Sequence, residues 1–147
     1  MNRVIKFRGK LIKNDEWVCG DLVHDTKGNA YVYPEDAEAL YITNRVHPET
    51  VGQFTGLLDI HGKEIFEGDI VQRVYRMEEG RGKNKHEVLR PVGNCKPKVI
   101  SFRMGAFGYV NFKEREFMEE EWLPTLDEEC EVLGNIFDNP EIECGGD

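Results

Sequence analysis

Serine is almost missing. Ser101 is the only one in the chain, and nothing around it resembles the strand–turn–helix elbow that presents a nucleophilic hydroxyl, so serine-hydrolase chemistry is not expected. Cys19, Cys95, Cys130 and Cys144 are spaced widely and irregularly, with no Cys-x-x-Cys pair. Neither a zinc ribbon nor a thioredoxin-like redox motif fits that spacing. His24, His47, His61 and His86 lack the His-x-His or His-x-x-x-His spacing that sets two metal ligands side by side. No run approaches the roughly 20 apolar residues that span a bilayer. The N-terminal Met-Asn-Arg-Val-Ile-Lys-Phe-Arg has no apolar signal segment. These absences predict a cytoplasmic protein with reduced thiols and no membrane association.

What is present suits a globular domain. With 147 residues the chain can bury roughly two thirds of the surface its unfolded form exposes. Charged residues make up 32% of it, enough to raise disorder as a reading, but eight Phe, five Tyr and two Trp are spread along the whole length and argue against that. The net charge of −9 is unevenly placed: residues 1–72 carry −4, residues 73–98 carry +5 and residues 99–147 carry −10. Overall acidity disfavours wrapping by nucleic acid, while the central basic segment allows a local contact.

Short β-type segments recur. Residues 4–7 alternate apolar and charged, and residues 16–23 follow after a turn at Asn14-Asp15. Residues 30–33 form a third strand closed by Pro34, and residues 35–40 suit one helical turn. Residues 49–54 are extended, with turns at Thr55-Gly56 and at 60–63. Strands at 64–66 and 69–75 flank a turn at Glu67-Gly68-Asp69, and residues 99–102 and 107–112 form a hairpin. The acidic stretch 114–121 suits a short helix, and 129–136 a last strand. Many short strands with glycine at the corners predict a small curled barrel or a sandwich.

Residues 77–98 break this rhythm. They hold Gly80, Gly82, Pro91, Gly93 and Pro97 and read as a long exposed loop or a protruding hairpin. Arg73, Arg76, Arg81, Lys83, Lys85, Arg90, Lys96 and Lys98 form the candidate contact set, for phosphates or for a partner protein. Tyr75 adds a surface on which a base can stack. The bland alternative is a solvated loop that offsets the acidic C-terminal third. In an oligomer it would dock on the acidic 114–131 stretch of a neighbour.

Catalytic readings are weaker. Asp59, Glu64, Glu67 and Asp69 lie close enough in sequence to converge on a divalent ion, but each sits where a turn or the polar side of a strand accounts for an acid. Gly80-Arg81-Gly82-Lys83 lacks the phosphate-loop spacing, and Gly105-Ala106-Phe107-Gly108 is no dinucleotide fingerprint.

Three blocks carry a family resemblance. The first is Ile5-Lys6-Phe7-Arg8 with Glu16-Trp17-Val18 and Gly20. The second is Val51-Gly52-Gln53-Phe54-Thr55-Gly56-Leu57, Asp59, and Gly62 through Val71. The third is Glu131-Val132-Leu133-Gly134-Asn135-Ile136-Phe137-Asp138-Asn139-Pro140-Glu141. Together they resemble the YopX family, found mainly in bacteriophages and prophages. The resemblance implies a mainly β fold with a small Src-homology-like barrel or roll as core, additional N-terminal strands and self-association; it supplies no catalytic residues. The expected organisation is a single domain over 1–147: an N-terminal β subdomain over 1–48, a barrel core over 49–140 with the basic loop 76–98 inserted, and a tail over 141–147. The expected role is that of a non-enzymatic, phage-encoded accessory protein in the bacterial cytoplasm, needing no cofactor or metal. It would form a homo-oligomer and bind an unidentified host or phage protein. The alternative is a nucleic-acid-binding barrel that uses residues 73–98.

Overall fold

A computed structural model describes residues 4–36, 44–93, 96–103, 106–111, 116–118 and 130–144. The chain divides into two compact units, Met1–Gly56 and Leu57–Asp147.

The first unit is an antiparallel sheet. Its strands are β1 (Phe7–Lys10), β2 (Trp17–His24), β3 (Ala30–Tyr33), β4 (Arg45–Val46) and most of β5 (Gly52–Leu58), in the order β4-β3-β2-β1-β5. Alternation in β3 sets the faces: Ala30 and Val32 are buried, while Tyr31 and Tyr33 stack outside with ring centroids 6.3 Å apart. Ala30 and Val32 join Leu11 and Val46 in the core, with Val18, Leu22 and Val51 packed against it. On β1, Arg8 and Lys10 share a face and both lie over the Trp17 ring, at 4.6 and 5.4 Å from its centroid. Gly20 is required where β2 passes β3. Its φ is +156°, and a Cβ there would stand 1.9 Å from the Tyr33 carbonyl oxygen.

The first strand begins later than the alternation at residues 4–7 suggests. Val4 and Ile5 are more than half exposed, and pairing with β2 starts at Phe7↔Gly20. Thr55-Gly56 is not a turn either: β5 runs through it to Leu58, because a glycine inside a strand marks a kink as readily as an end. Of the helical turn expected at 35–40, residues 37–40 lie outside the described residues, and Glu35 and Asp36 form a turn.

In the second unit Leu57 and Leu58 lead through a turn into β6 (Glu64–Phe66). A sheet follows, made of β7 (Asp69–Glu79), β8 (His86–Pro91), β9 (Lys98–Arg103), β10 (Ala106–Asn111), β11 (Glu116–Met118) and β12 (Cys130–Asn135). Its order is β11-β10-β9-β7-β12, and β8 pairs with β7. Ile65, Val71, Ile100, Phe107 and Cys130 form the core, with Leu57 and Val132 against it. Ile70 to Gln72 are buried on both faces, so the first half of β7 shows no alternation.

Mainly β architecture is as expected, but neither strand order closes into a barrel among the described residues. In the second unit closure would need β11 to pair with β12, and the described pairings leave both at opposite ends of the sheet. The helix expected at 114–121 is replaced, over the described part, by β11 paired to β10 at Tyr109↔Met118 through Asn111↔Glu116. Ladder pairing with β10 outweighs the helical preference of Glu116. Cys130 is buried, Cys144 half-buried and Cys19 exposed. Among the described residues no helix is long and apolar enough to cross a membrane.

Candidate interaction surface

The long strand β7 has two different halves. Residues Asp69 to Arg73 are flanked by β12, and Ile70 and Val71 by β9 on the other side. From Val74 onward, among the described residues, β8 alone pairs with it, in the register Val74↔Pro91 through Glu79↔His86. Burial ends at the same point: Val74 is buried, and Tyr75 to Glu78 are exposed. The expected loop is therefore a protruding hairpin, a two-stranded arm that reaches about 17 Å from Val74 to Glu79 at the usual strand rise.

The arm tolerates a proline because of its parity. Val92 N donates to Arg73 O at 3.0 Å. Hydrogen-bonded pairs alternate in an antiparallel ladder. It follows that Tyr75/Arg90, Met77/Val88 and Glu79/His86 exchange bonds, whereas Val74/Pro91, Arg76/Leu89 and Glu78/Glu87 do not. Pro91 thus falls where an N–H would point away from β7, and the ladder loses nothing.

The tip turns through Gly80–Lys85. Gly80 has φ +97°, and a Cβ on it would meet the Asn84 carbonyl oxygen at 2.2 Å, so only glycine closes the turn this tightly. Asn84 N donates to Arg81 O at 3.0 Å across a single 3-10 turn at Gly82–Asn84. His86 Nδ1 donates to Asn84 O at 3.0 Å.

The eight candidate cations do not form one cluster. Arg73 lies at the base of the arm opposite Cys130, half-buried. Arg76 is paired with Glu87, and Arg90 with Glu79 through both Nε and Nη2. The Glu79 hydrogen bond pushes the Arg90 guanidinium further above its ordinary pKa. Lys85 Nζ approaches Glu78 at 3.7 Å. Lys96 leads into β9 and Lys98 opens it opposite Val71, well away from the tip. Arg81 and Lys83 remain, and among the described residues neither makes an ion pair. Tyr75 and Met77, both exposed, share one face of the arm.

Glu78, Glu79 and Glu87, the counter-charges that neutralise the strands of the arm, were not singled out by sequence reasoning. The signal existed: Arg76 and Glu87, and Glu79 and Arg90, lie on opposite sides of a glycine-rich centre and are each eleven apart. Opposed charges at equal spacing about a turn are what a cross-strand pair looks like in sequence.

The carboxylates of the middle block are not brought together on an ion. Asp59 turns both oxygens to backbone amides: Oδ1 accepts from His61 N (2.8 Å) and Lys63 N (2.9 Å), and Oδ2 from Val132 N (3.0 Å). Asp69 Oδ2 accepts from Phe66 N at 2.8 Å. Among the described residues no group of three or more His, Cys, Asp or Glu is placed to hold a metal. His61 Nε2 instead meets Glu131 Oε1 at 3.1 Å. Asn135 continues the same theme after β12, its Oδ1 accepting from Phe137 N and Asp138 N at 3.0 and 2.9 Å.

No curated protein matches the chain. A crystal structure of protein EF1440 from Enterococcus faecalis shares the fold, with a TM-score of 0.52 and 19% identity over 94% of this chain and 96% of that one. The model of the YopX protein family matches residues 6–142. That span holds most of both units, the turn capped by Asp59 and the arm, and the chain belongs to the YopX family.

Proposed function

We propose that this chain is a non-enzymatic accessory protein of a phage or prophage, working in the host cytoplasm by docking on other proteins through the β7–β8 arm. The supporting observation is the composition of the arm. Its strand arginines are matched by glutamates within the hairpin, and what it offers a partner is Tyr75, Met77 and an outer edge unpaired among the described residues. Arginines already neutralised release few counterions, so they add little to phosphate binding. Exposed aromatic and methionine side chains are what protein interfaces enrich.

Affinity capture from host cells carrying the phage, with and without nuclease, tests this. The comparison is between the full chain and a variant whose residues 78–87 are replaced by a two-residue turn. Nuclease-resistant partners that vanish with the arm are expected. Partners retained by the trimmed chain would overturn the reading. Charge segregation along the chain also favours homo-oligomers; light scattering that finds a monomer at high concentration and low salt would remove that part.

A second reading, nucleic-acid binding, is favoured by Arg81, Lys83 and Lys85 standing close together on the tip. Three phosphate contacts would give a slope of about −2.7 in log affinity against log salt on duplex DNA. A slope near zero would exclude it.

A further inference from the structure

We propose that the outer edge of β8 accepts an extended acidic segment of another protein as an added strand, clamped at the tip by Arg81 and Lys83. The proposal rests on the docking reading above and specifies what docks.

The parity of the arm supports it. Because Arg90, Val88 and His86 spend their main-chain groups on β7, those of Glu87 and Leu89 point outward. Among the described residues no strand pairs with that edge. Such an unpaired edge is a template for another chain, and proteins normally blunt it. Here it is blunted at one end only: Pro91 has no outward N–H, so pairing is confined to Glu87 and Leu89, the two outward positions nearer the tip. The acid on this stretch of edge does not repel an acidic guest, since Glu87 is already paired with Arg76.

Charge then selects the guest. Arg81 and Lys83 make no ion pair among the described residues, and they stand just beyond the last ladder pair, Glu79↔His86. Leu89 lies about 10 Å from that pair at the usual strand rise. An extended segment of roughly five residues therefore spans the edge and brings carboxylates to the tip. Main-chain bonds to Glu87 and Leu89 supply affinity and the cations supply selection, which is the division of labour in strand addition.

The test uses the full chain and a fluorescent synthetic peptide of about ten residues alternating glutamate with threonine or valine. Polarisation should show saturable binding that weakens as salt is raised. N-methylation of the peptide backbone on one edge should weaken it about tenfold, since each methyl removes an edge bond, whereas N-methylation on the other edge should not. Leu89→Pro removes an outward donor and no bond to β7, as Pro91 already does naturally, so it should weaken binding by a similar factor in a folded protein. If that variant does not fold, the methylated peptides decide alone. Arg81→Glu with Lys83→Glu should also weaken binding about tenfold and flatten its salt dependence.

No binding of the peptide overturns the proposal, as does binding indifferent to both N-methyl series and to Leu89→Pro. If arm-dependent capture from cells persists in either case, the docking reading stands and only strand addition falls. Displacement of the peptide by unlabelled protein, with dimers seen by light scattering, would assign the edge to a second copy and equally overturn the proposal.

Discussion

Replacing Asp59 with alanine removes one carboxylate and strands three amides. The side chain is nearly buried, 5% exposed. It closes the turn between β5 and β6 through His61 N and Lys63 N, and it ties that turn to β12 through Val132 N. A hydrogen bond to a charged acceptor contributes about 1.5–3 kcal/mol net, and a buried donor left without a partner costs about 1–3 kcal/mol. The three bonds are not additive, because water reaches the exposed turn amides once the side chain is gone. The expected loss is therefore about 3–5 kcal/mol, a large share of the roughly 5–15 kcal/mol that holds a domain together.

Asp59→Asn separates the two oxygens. Its Oδ1 keeps both turn amides, but an NH2 then faces the Val132 N–H, donor against donor. About 2 kcal/mol is expected, with protection from hydrogen exchange lost at Val132 and retained at His61 and Lys63. Urea unfolding with an unchanged m-value reads the energies, and amide exchange reads the sites. An alanine variant that loses less than about 1 kcal/mol, or an asparagine variant as costly as alanine, would refute the reasoning.

Two further predictions concern the first unit. Gly20→Ala sets a methyl 1.9 Å from the Tyr33 carbonyl oxygen and should cost about 3 kcal/mol or more. Gly28→Ala, also at positive φ but with nothing within 4 Å, should cost only about 1 kcal/mol; equal losses on thermal unfolding would show that close approach is not the cause. Asp25 accepts bonds from Asn29 Nδ2, Asn29 N, Lys27 N and the Tyr31 hydroxyl, and the Asn29 side chain foremost holds its pKa below the usual 3.8. Its contribution is present above that ordinary value and lost as pH falls through the lower folded one. Relative to wild type, Asp25→Asn should lose stability at neutral pH and give a curve less steep on the acid side; parallel curves would contradict this.

The legible parts of the chain were those governed by local chemistry. The strands at Ala30–Tyr33 and Glu64–Phe66, with the turns beside them, follow from β-branched and aromatic residues bounded by glycine, asparagine and proline. The start of β1 did not follow, because Val4 and Ile5 open a stretch patterned as a strand should be but stay more than half exposed, and pairing with β2 begins at Phe7. β7 was seen only to Tyr75, since its last residues, Arg76 to Glu79, are held by a partner strand rather than by a core. The candidate contact set was legible as composition but not as geometry. The register and the side-chain pairs set Arg76, Lys85 and Arg90 against glutamates and leave Arg81 and Lys83 at the tip.

That register also bears on which ligand the arm is proposed to take. Charge counted along residues 73–98 favours phosphate, because it treats every arginine as available. Arg76 and Arg90 are committed to glutamates that sit in the same ribbon, and engaging a phosphate would mean breaking two pairs to make two others. Exposed pairs of this kind contribute about 0–1 kcal/mol each, so the cost is small, but the gain in counterion release is smaller than a bare arginine would give. The pairs serve the arm better as structure. A two-stranded hairpin standing alone in water is marginally stable, and among the described residues Tyr75 to Glu78 of this one are exposed. Cross-strand charges on Arg76–Glu87 and Glu79–Arg90 supply part of what burial does not. They favour the register in which β8 pairs with β7.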